Sequence, residues 1–242
     1  MYESRTPQKD LKNCGAELAS FINSLPMKNR ICPLCGNSTA GQIIYANERE
    51  YHSCQNCGLI YLGRQFLLPP DEEKARYGEH NNDPGDEKYI EHLSALTDEL
   101  LPFLSYLPHG ASGLDFGSGP GPAIDGMMKG HGFSVENYDP FFNNDRSLLQ
   151  KRYGFITCTE TAEHFHDPSL EFDLLHSLLN KGGLLGIMTN FLYDDIDFAQ
   201  WWYPRDPTHV SFYTPQTMDY ISKRFNWEIK FFRGNVIIYS KK

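Results

Sequence analysis

Four of the six cysteines stand in two Cys-x-x-Cys-Gly units, Cys32 with Cys35 and Cys54 with Cys57, eighteen residues apart. Two residues between thiols let both sulfurs of a pair converge on one ion, and two such pairs supply the four ligands of a tetrahedral structural zinc. Gly36 and Gly58 follow the second cysteine of each pair, where a positive φ aims backbone N–H groups at the sulfurs. Four thiolates leave no open position for water or substrate, so this metal would hold structure rather than do chemistry. Four free thiols, or two disulfides, are the alternative. Cys14 and Cys158 have no such spacing and read as a surface thiol and a core residue.

The second chemical signal is the run LDFGSGPGP at residues 114–122, with glycines at 117, 119 and 121. It follows an expected strand and opens an expected helix, so the backbone can turn tightly and approach a ligand lying across strand ends. A dinucleotide fingerprint needs glycine or alanine where this chain has Pro122, which makes a nicotinamide oxidoreductase a poor reading. Asp115, two residues before Gly117, would oppose a pyrophosphate and suit a ligand bearing an ammonium group. Asp139 ends the next expected strand, followed by Pro140, at the distance where a carboxylate can accept both hydroxyl protons of a ribose.

The elements that position these residues come from periodicity. Strands are expected at 42–45, 50–53 and 59–62 around the cysteine pairs, a short helix capped by Asp71 through Tyr77, and an amphipathic helix over 86–106, ended or kinked near Pro102. Beyond Pro108, strands at 113–116, 133–138, 155–158 and 184–189 alternate with helices at 122–129 and 168–179. That alternation predicts an α/β fold: a Rossmann-like, mostly parallel sheet with helices on both faces. A helix capped by Thr214 and an antiparallel hairpin turning at Gly234-Asn235 close the chain. The expected division is residues 1–30, with a weak helical face at Leu18, Phe21, Ile22 and Leu25 and no readable role; a small zinc-ribbon-like module at 31–68; a helical linker at 69–107; and the α/β domain at 108–242.

Lys and Arg number 22 against 31 Asp and Glu, and the resulting net charge of −9 argues against affinity resting on phosphate neutralisation. No apolar run approaches the ~20 residues that span a bilayer, and the amino terminus lacks a secretion signal, so a cytoplasmic setting without membrane attachment is expected.

The run LDFGSGPG, the strand-end Asp139, FITCTETAEHFHDP at 155–168 and NKGGLLGIMT at 180–189 resemble the successive motifs of the class I S-adenosylmethionine-dependent methyltransferases. With the paired cysteines ahead of them, they are similar to a subset with an amino-terminal zinc-binding module that includes sugar C-methyltransferases. The resemblance implies that Asp115, Gly117, Ser118 and Gly119, with Gly121, surround the methionine part of S-adenosylmethionine, and that Asp139 with Pro140 holds the ribose. It also implies that Thr159 and Glu160 line the wall near the methyl-bearing sulfur. Only about fifteen residues separate Asp139 from Phe155, so a shortened or missing third strand is expected around Leu148 and Leu149, and adenine contacts cannot be carried over.

Methyl transfer from a sulfonium is an in-line displacement, and a base is needed only where the acceptor must lose a proton. The candidates are Glu160, Glu163, His164 and His209. The insertion at 190–213 is dense in rings, and Trp201, Trp202, Tyr203 and His209 form either a substrate lid or a cover for the sheet. Tyr77 and His80 are weaker candidates for the same cleft. The acceptor is expected to be a small molecule, carbohydrate-like or another metabolite. RNA gripped by the zinc module is disfavoured by the charge, and a non-catalytic binding protein keeping the fold stays open.

Overall fold

The paired-cysteine segment folds into three short antiparallel strands, β1 (Ile43–Ala46), β2 (Arg49–Ser53) and β3 (Ile60–Leu62), in a computed structural model that describes residues 31–38, 41–79 and 82–242. The helical face expected at Leu18 to Leu25, Cys14 and His80 lie outside the described residues. Asn47 and Glu48 join β1 to β2, both at positive φ, the two-residue turn geometry whose twist matches the strands it connects.

Two prolines open α1 (Pro70–Tyr77), with Pro69 at the cap position and Pro70 first in the helix. Asp71 therefore sits in the first turn and not at the cap expected for it, because proline fits a first helical position whose N–H would be unpaired anyway. The following helix, α2 (Glu87–Leu104), is capped by Asp86, whose carboxylate accepts from Lys88 N at 2.9 Å. It passes through Pro102 and ends two residues later at Leu104, near the proline as expected. Leu93, Leu96, Leu100 and Leu104 are all buried along one stripe. At roughly 1.5–3 kcal/mol each, such burial outweighs what one proline costs near a helix end.

The main sheet contains β4 (Ser112–Phe116), β5 (Ser134–Tyr138), β6 (Tyr153–Thr159), β7 (Leu179–Met188), β9 (Trp227–Arg233) and β10 (Val236–Lys241), in the order β5-β4-β6-β7-β10-β9. The first four are mutually parallel, and β10 runs antiparallel to both β7 and β9. Side chains alternate between faces as the period of two requires. Phe155, Leu184, Met188 and Ile238 join the layer under α2 and α3 (Ile124–Lys129). Ile156, Leu185, Ile187 and Tyr239 join the opposite layer with α4 (Pro168–Leu178) and α5 (Pro215–Phe225). Thr214 caps α5 by accepting from Thr217 N, and Pro215 follows at the first position, as read from the sequence. Between Asp139 and Tyr153 there is no third strand, only an isolated bridge from Asp139 to Asn143 and a 3-10 turn at Leu148–Gln150.

The small sheet is not self-contained. Its fourth strand, β8 (Ser211–Phe212), comes from the aromatic insertion after β7 and pairs Phe212 with Ile60 and Ser211 with Tyr61. Cys32, Leu34, Cys54, Cys57 and Leu59 share a continuous buried core with Phe165, Phe172 and Met218 of the α/β unit. Arg224 of α5 donates to the Leu34 carbonyl at 2.6 Å, and Ser169 N to the Pro33 carbonyl at 3.1 Å. Cys158 is a fully buried core residue on β6. Among the described residues no helix is long and apolar enough to cross a membrane.

Candidate active site

The sheet order reverses at β4: the chain leaves it toward β5 on one side and returns to β6 on the other. Helices diverge at such a point and leave a crevice beyond the strand ends. Here it is a cleft of about 630 Å³, within the range of small-molecule sites. Gly117, Ser118, Gly119 and Pro120 form its floor, and Thr159, Glu160, Glu163 and His164 one wall. Trp202, Tyr203, Asp206 and His209 of the insertion stand opposite, and Tyr77, Asn82, Tyr89 and His92 of the linker region close the rim.

Gly117 and Gly119 have φ of 81° and 65°, the left-handed region that a side chain resists. A Cβ on Gly117 would lie 2.2 Å from Thr161, so no side chain fits. The turn is anchored by Gly117 N and Ser118 N donating to the Tyr138 carbonyl at 2.8 and 3.1 Å. Glu160, at the end of β6, also adopts positive φ (47°), a strained conformation that places its carboxylate at the cleft. Three polar atoms there lack a hydrogen-bond partner: Ser118 Oγ, Thr159 Oγ1 and Glu160 Oε1, the last 3.7 Å from His92 Nε2. Buried donors and acceptors without partners suit a polar ligand.

The two acids on which the sequence reading leaned do not line this cleft, nor do Gly121 and Pro140. Asp115 is buried beneath the glycine turn, where its carboxylate accepts from Thr157 Oγ1 at 2.8 Å. Burial, only partly offset by that hydrogen bond, raises it to about 7. Asp139 accepts from Phe141 N and Phe142 N on Oδ1 and from Gly119 N on Oδ2, at 2.8 to 3.0 Å. With two lone pairs per oxygen, Oδ2 keeps room for one further donor, not the pair of hydroxyls expected. Asp139 thus ties the glycine turn to the end of β5. Gly121 serves close packing: its Cβ would fall 1.6 Å from the Asn82 carbonyl oxygen.

Glu163, His164 and His209, separated by up to 46 residues in sequence, are brought together, with one ligand atom of each within 4.8 Å of the others. Glu163 is fully buried and accepts from Tyr203 OH at 2.5 Å and Thr189 Oγ1 at 2.8 Å. Burial, then the nearby Glu160 charge, pushes its carboxyl well above the usual range. His164 Nδ1 lies 3.0 Å from the Thr208 carbonyl and His209 Nδ1 2.9 Å from the Tyr203 carbonyl. A carbonyl only accepts, so Nδ1 carries the proton in both rings. Burial and the neighbouring His209 hold His164 down at about 4, a neutral ring at ordinary pH. The insertion splits in role. Trp201 packs with Phe198 and Phe212 on the small sheet, whereas Trp202, 59% exposed, faces the cleft.

Tyr77 reaches the cleft as expected, its ring edge-on to His164 at 5.0 Å. Asn82, Tyr89 and His92 are additions to the site; nothing in their spacing distinguishes them from solvated linker and helix-face residues. Arg76 on α1 donates through Nε and Nη2 to Asp206 Oδ2 at 3.1 and 2.8 Å, joining linker to insertion across the cleft.

In the cysteine cluster the four sulfurs lie within 4.8 Å of one another, with Cys32–Cys57 at 3.6 Å and Cys35–Cys54 at 3.4 Å. A disulfide would need about 2.05 Å, while a tetrahedral ion with ~2.3 Å bonds spaces sulfurs about 3.8 Å apart. Gly36 N and Gly58 N donate back to the Cys32 and Cys54 carbonyls, at positive φ as expected. The donor set fits one soft divalent cation.

A mostly parallel sheet with a switch-point cleft, a glycine turn lining it and an antiparallel hairpin at its far edge defines a Rossmann-like α/β protein with a cleft of small-molecule size. The chain belongs to the methyltransferase-domain family, whose model matches residues 87–230. That match begins at α2, which packs on the sheet as part of the unit. No curated protein matches the chain. Among solved structures it is similar to the 1,6-didemethyltoxoflavin-N1-methyltransferase of Burkholderia thailandensis, solved with 1,6-didemethyltoxoflavin and S-adenosylhomocysteine bound. The two are 13% identical with a TM-score of 0.50, covering 84% of this chain and 100% of that one. It is also similar to a SAM-dependent methyltransferase from Archaeoglobus fulgidus, at 17% identity and a TM-score of 0.45, over 64% of this chain and 100% of the other. At 13% identity the likeness to the Burkholderia enzyme shows the fold alone.

Proposed function

We propose that this chain is an S-adenosylmethionine-dependent methyltransferase acting on a small, carbohydrate-like acceptor, with a structural zinc at Cys32, Cys35, Cys54 and Cys57. The observation that carries the reading is one cleft with two unlike ends. The glycine turn with the unpartnered Ser118 and Thr159 hydroxyls forms one, and the Glu163, His164, His209 cluster the other.

When bound, the cofactor supplies an electrophilic methyl on a sulfonium. Gly117, Ser118 and Gly119 would bind its amino-acid portion through backbone and hydroxyl, and Asp139 would hold that turn in place. Asp115, below the floor, would favour the positive charge above it through the field of its carboxylate instead of direct contact. Thr159 and Glu160 would border the transfer path, with Glu160 Oε1 able to accept a proton. Trp202 and the Arg76–Asp206 pair would restrict water at the mouth. The zinc would fix the small sheet, and through β8 the insertion carrying Tyr203 and His209. The net charge of −9 supports a small-molecule acceptor over RNA.

Calorimetric titration with S-adenosylmethionine tests this. Saturable heat in the wild type, weakened by Ser118→Ala and Thr159→Val, is expected; no heat with the folded wild-type protein refutes it.

A further inference from the structure

The amino-acid end of the proposed cofactor carries an α-carboxylate, and the acids nearest the glycine turn, Asp115, Asp139 and Glu160, offer it no charge partner. Among the basic side chains lining the cleft, Arg76 is committed to Asp206 and Glu79, Arg205 and His209 stand on the insertion, and His164 is held neutral by burial. His92 is the one on the glycine-turn side. It belongs to α2, whose rotation is fixed by the buried stripe of Leu93, Leu96, Leu100 and Leu104. Tyr89, one turn earlier on the same face, donates through its hydroxyl to the Gly121 carbonyl at 3.4 Å and seats this part of the helix on the turn. Facing His92, the end of β6 presents Glu160 at positive φ, with Oε1 3.7 Å from His92 Nε2. That separation gives Coulombic attraction without a hydrogen bond, and His92 Nδ1 has no partner among the described residues.

We infer that His92 binds the α-carboxylate of the cofactor through Nδ1, with Glu160 orienting the ring from its Nε2 side. This deepens the methyltransferase reading and rests on it. An imidazolium carries an N–H donor on each ring nitrogen, so Nε2–H faces Glu160 and Nδ1–H is left for the ligand. Glu160 raises His92 above its ordinary value of 6.5, against the opposing effect of partial burial. The two carboxylates then flank one cation, the ligand's at one nitrogen and the protein's at the other. An α-amino acid sets a cation and an anion on one carbon, and this side of the cleft sets an anion and a cation 3.7 Å apart. Glu163 acts on Glu160 by charge alone, as Asp115 acts on Tyr89, and neither is bonded to His92.

The test is calorimetry of the full chain with two probes, S-adenosylhomocysteine and S-adenosyl-3-thiopropylamine, which differ only in the α-carboxylate. At pH 6 the wild type should prefer the first, and His92→Ala should weaken it at least about tenfold while leaving the second within about twofold, the size of a charge-assisted hydrogen bond. The wild-type preference should decline as pH rises through the titration of His92, because only the imidazolium donates from both nitrogens. Asp115, Glu160 and Glu163 act on the ammonium that both probes carry, so the ratio of affinities isolates the carboxylate. In Glu160→Gln the decline should move to lower pH, and in His92→Lys the preference should persist to pH 8 without it. Equal weakening of both probes in a folded His92→Ala, or weakening of neither, overturns the inference; a decline unmoved in Glu160→Gln overturns the part given to Glu160. Where a variant loses its cooperative melt, the wild type decides, and a preference that stays flat from pH 5 to pH 8 overturns the assignment. Both probes binding without a preference removes His92 and leaves the methyltransferase reading, whereas neither probe binding the folded wild type overturns both.

Discussion

Replacing Asp115 with asparagine probes the floor of the cleft through its charge. The residue is 4% exposed, and burial raises its carboxyl from 3.8 to about 7. A raised folded-state pKa means that the native protein holds the proton more tightly than the unfolded chain. The associated stability is therefore fully present below pH ~4, falls as pH climbs toward 7, and is gone above it. A shift of about three units at ~1.4 kcal/mol each amounts to about 4 kcal/mol as an upper bound. The amide in the Asp115→Asn variant has no proton to lose and can still accept from Thr157 Oγ1. The stability difference between this variant and wild type should thus move in the variant's favour by up to about 4 kcal/mol between pH 4 and pH 8. At roughly 2–4 °C per kcal/mol for a chain of this size, thermal melts at matched pH resolve this easily. A difference that stays flat with pH would refute the argument that Asp115 is buried without a compensating charge. The same linkage predicts that binding a sulfonium near pH 7 expels part of a proton from Asp115, seen as a dependence of calorimetric heat on the buffer's ionisation enthalpy.

Three further outcomes are expected. Gly121→Ala puts a methyl where the Asn82 carbonyl stands, so overpacking of about 1–3 kcal/mol should lower the melting temperature and loosen cofactor binding; an unchanged protein would mean that the linker does not press on the turn. Tyr203→Phe removes the 2.5 Å donor to Glu163 and should cost about 1.5–3 kcal/mol in denaturant unfolding, and a neutral result would deny that Glu163 is held as described. Stripping the cysteine site with a strong chelator should lower a single whole-chain transition in scanning calorimetry, since Cys32, Cys54 and Cys57 sit in the main core; a separate early transition confined to the small sheet would contradict that continuity.

Local chemistry made much of this molecule legible. The cysteine pairs followed by Gly36 and Gly58, the glycine turn after β4, the Thr214-Pro215 helix start and the hairpin at Gly234 each depend on a few adjacent residues whose backbone preferences hold in any context. The missing third strand was likewise a matter of chain length, because about fifteen residues cannot supply both a crossover helix and a full strand.

What the chain order concealed was partnership. Asp115 and Asp139 looked like ligand contacts because type and spacing matched, but only packing decides whether a carboxylate faces a cavity or spends its lone pairs on Thr157 and on the backbone of its own turn. Asn82 and His92 reached the cleft because the linker folds back over the glycine turn. Ser211 and Phe212 joined the small sheet because an edge strand, β3, offered unpaired backbone groups that burial would not leave unsatisfied. The sequence by itself determined which residue types were able to bind metal, turn tightly or carry a proton. Which of them meet was decided in three dimensions, where desolvation and hydrogen-bond geometry act between residues far apart along the chain.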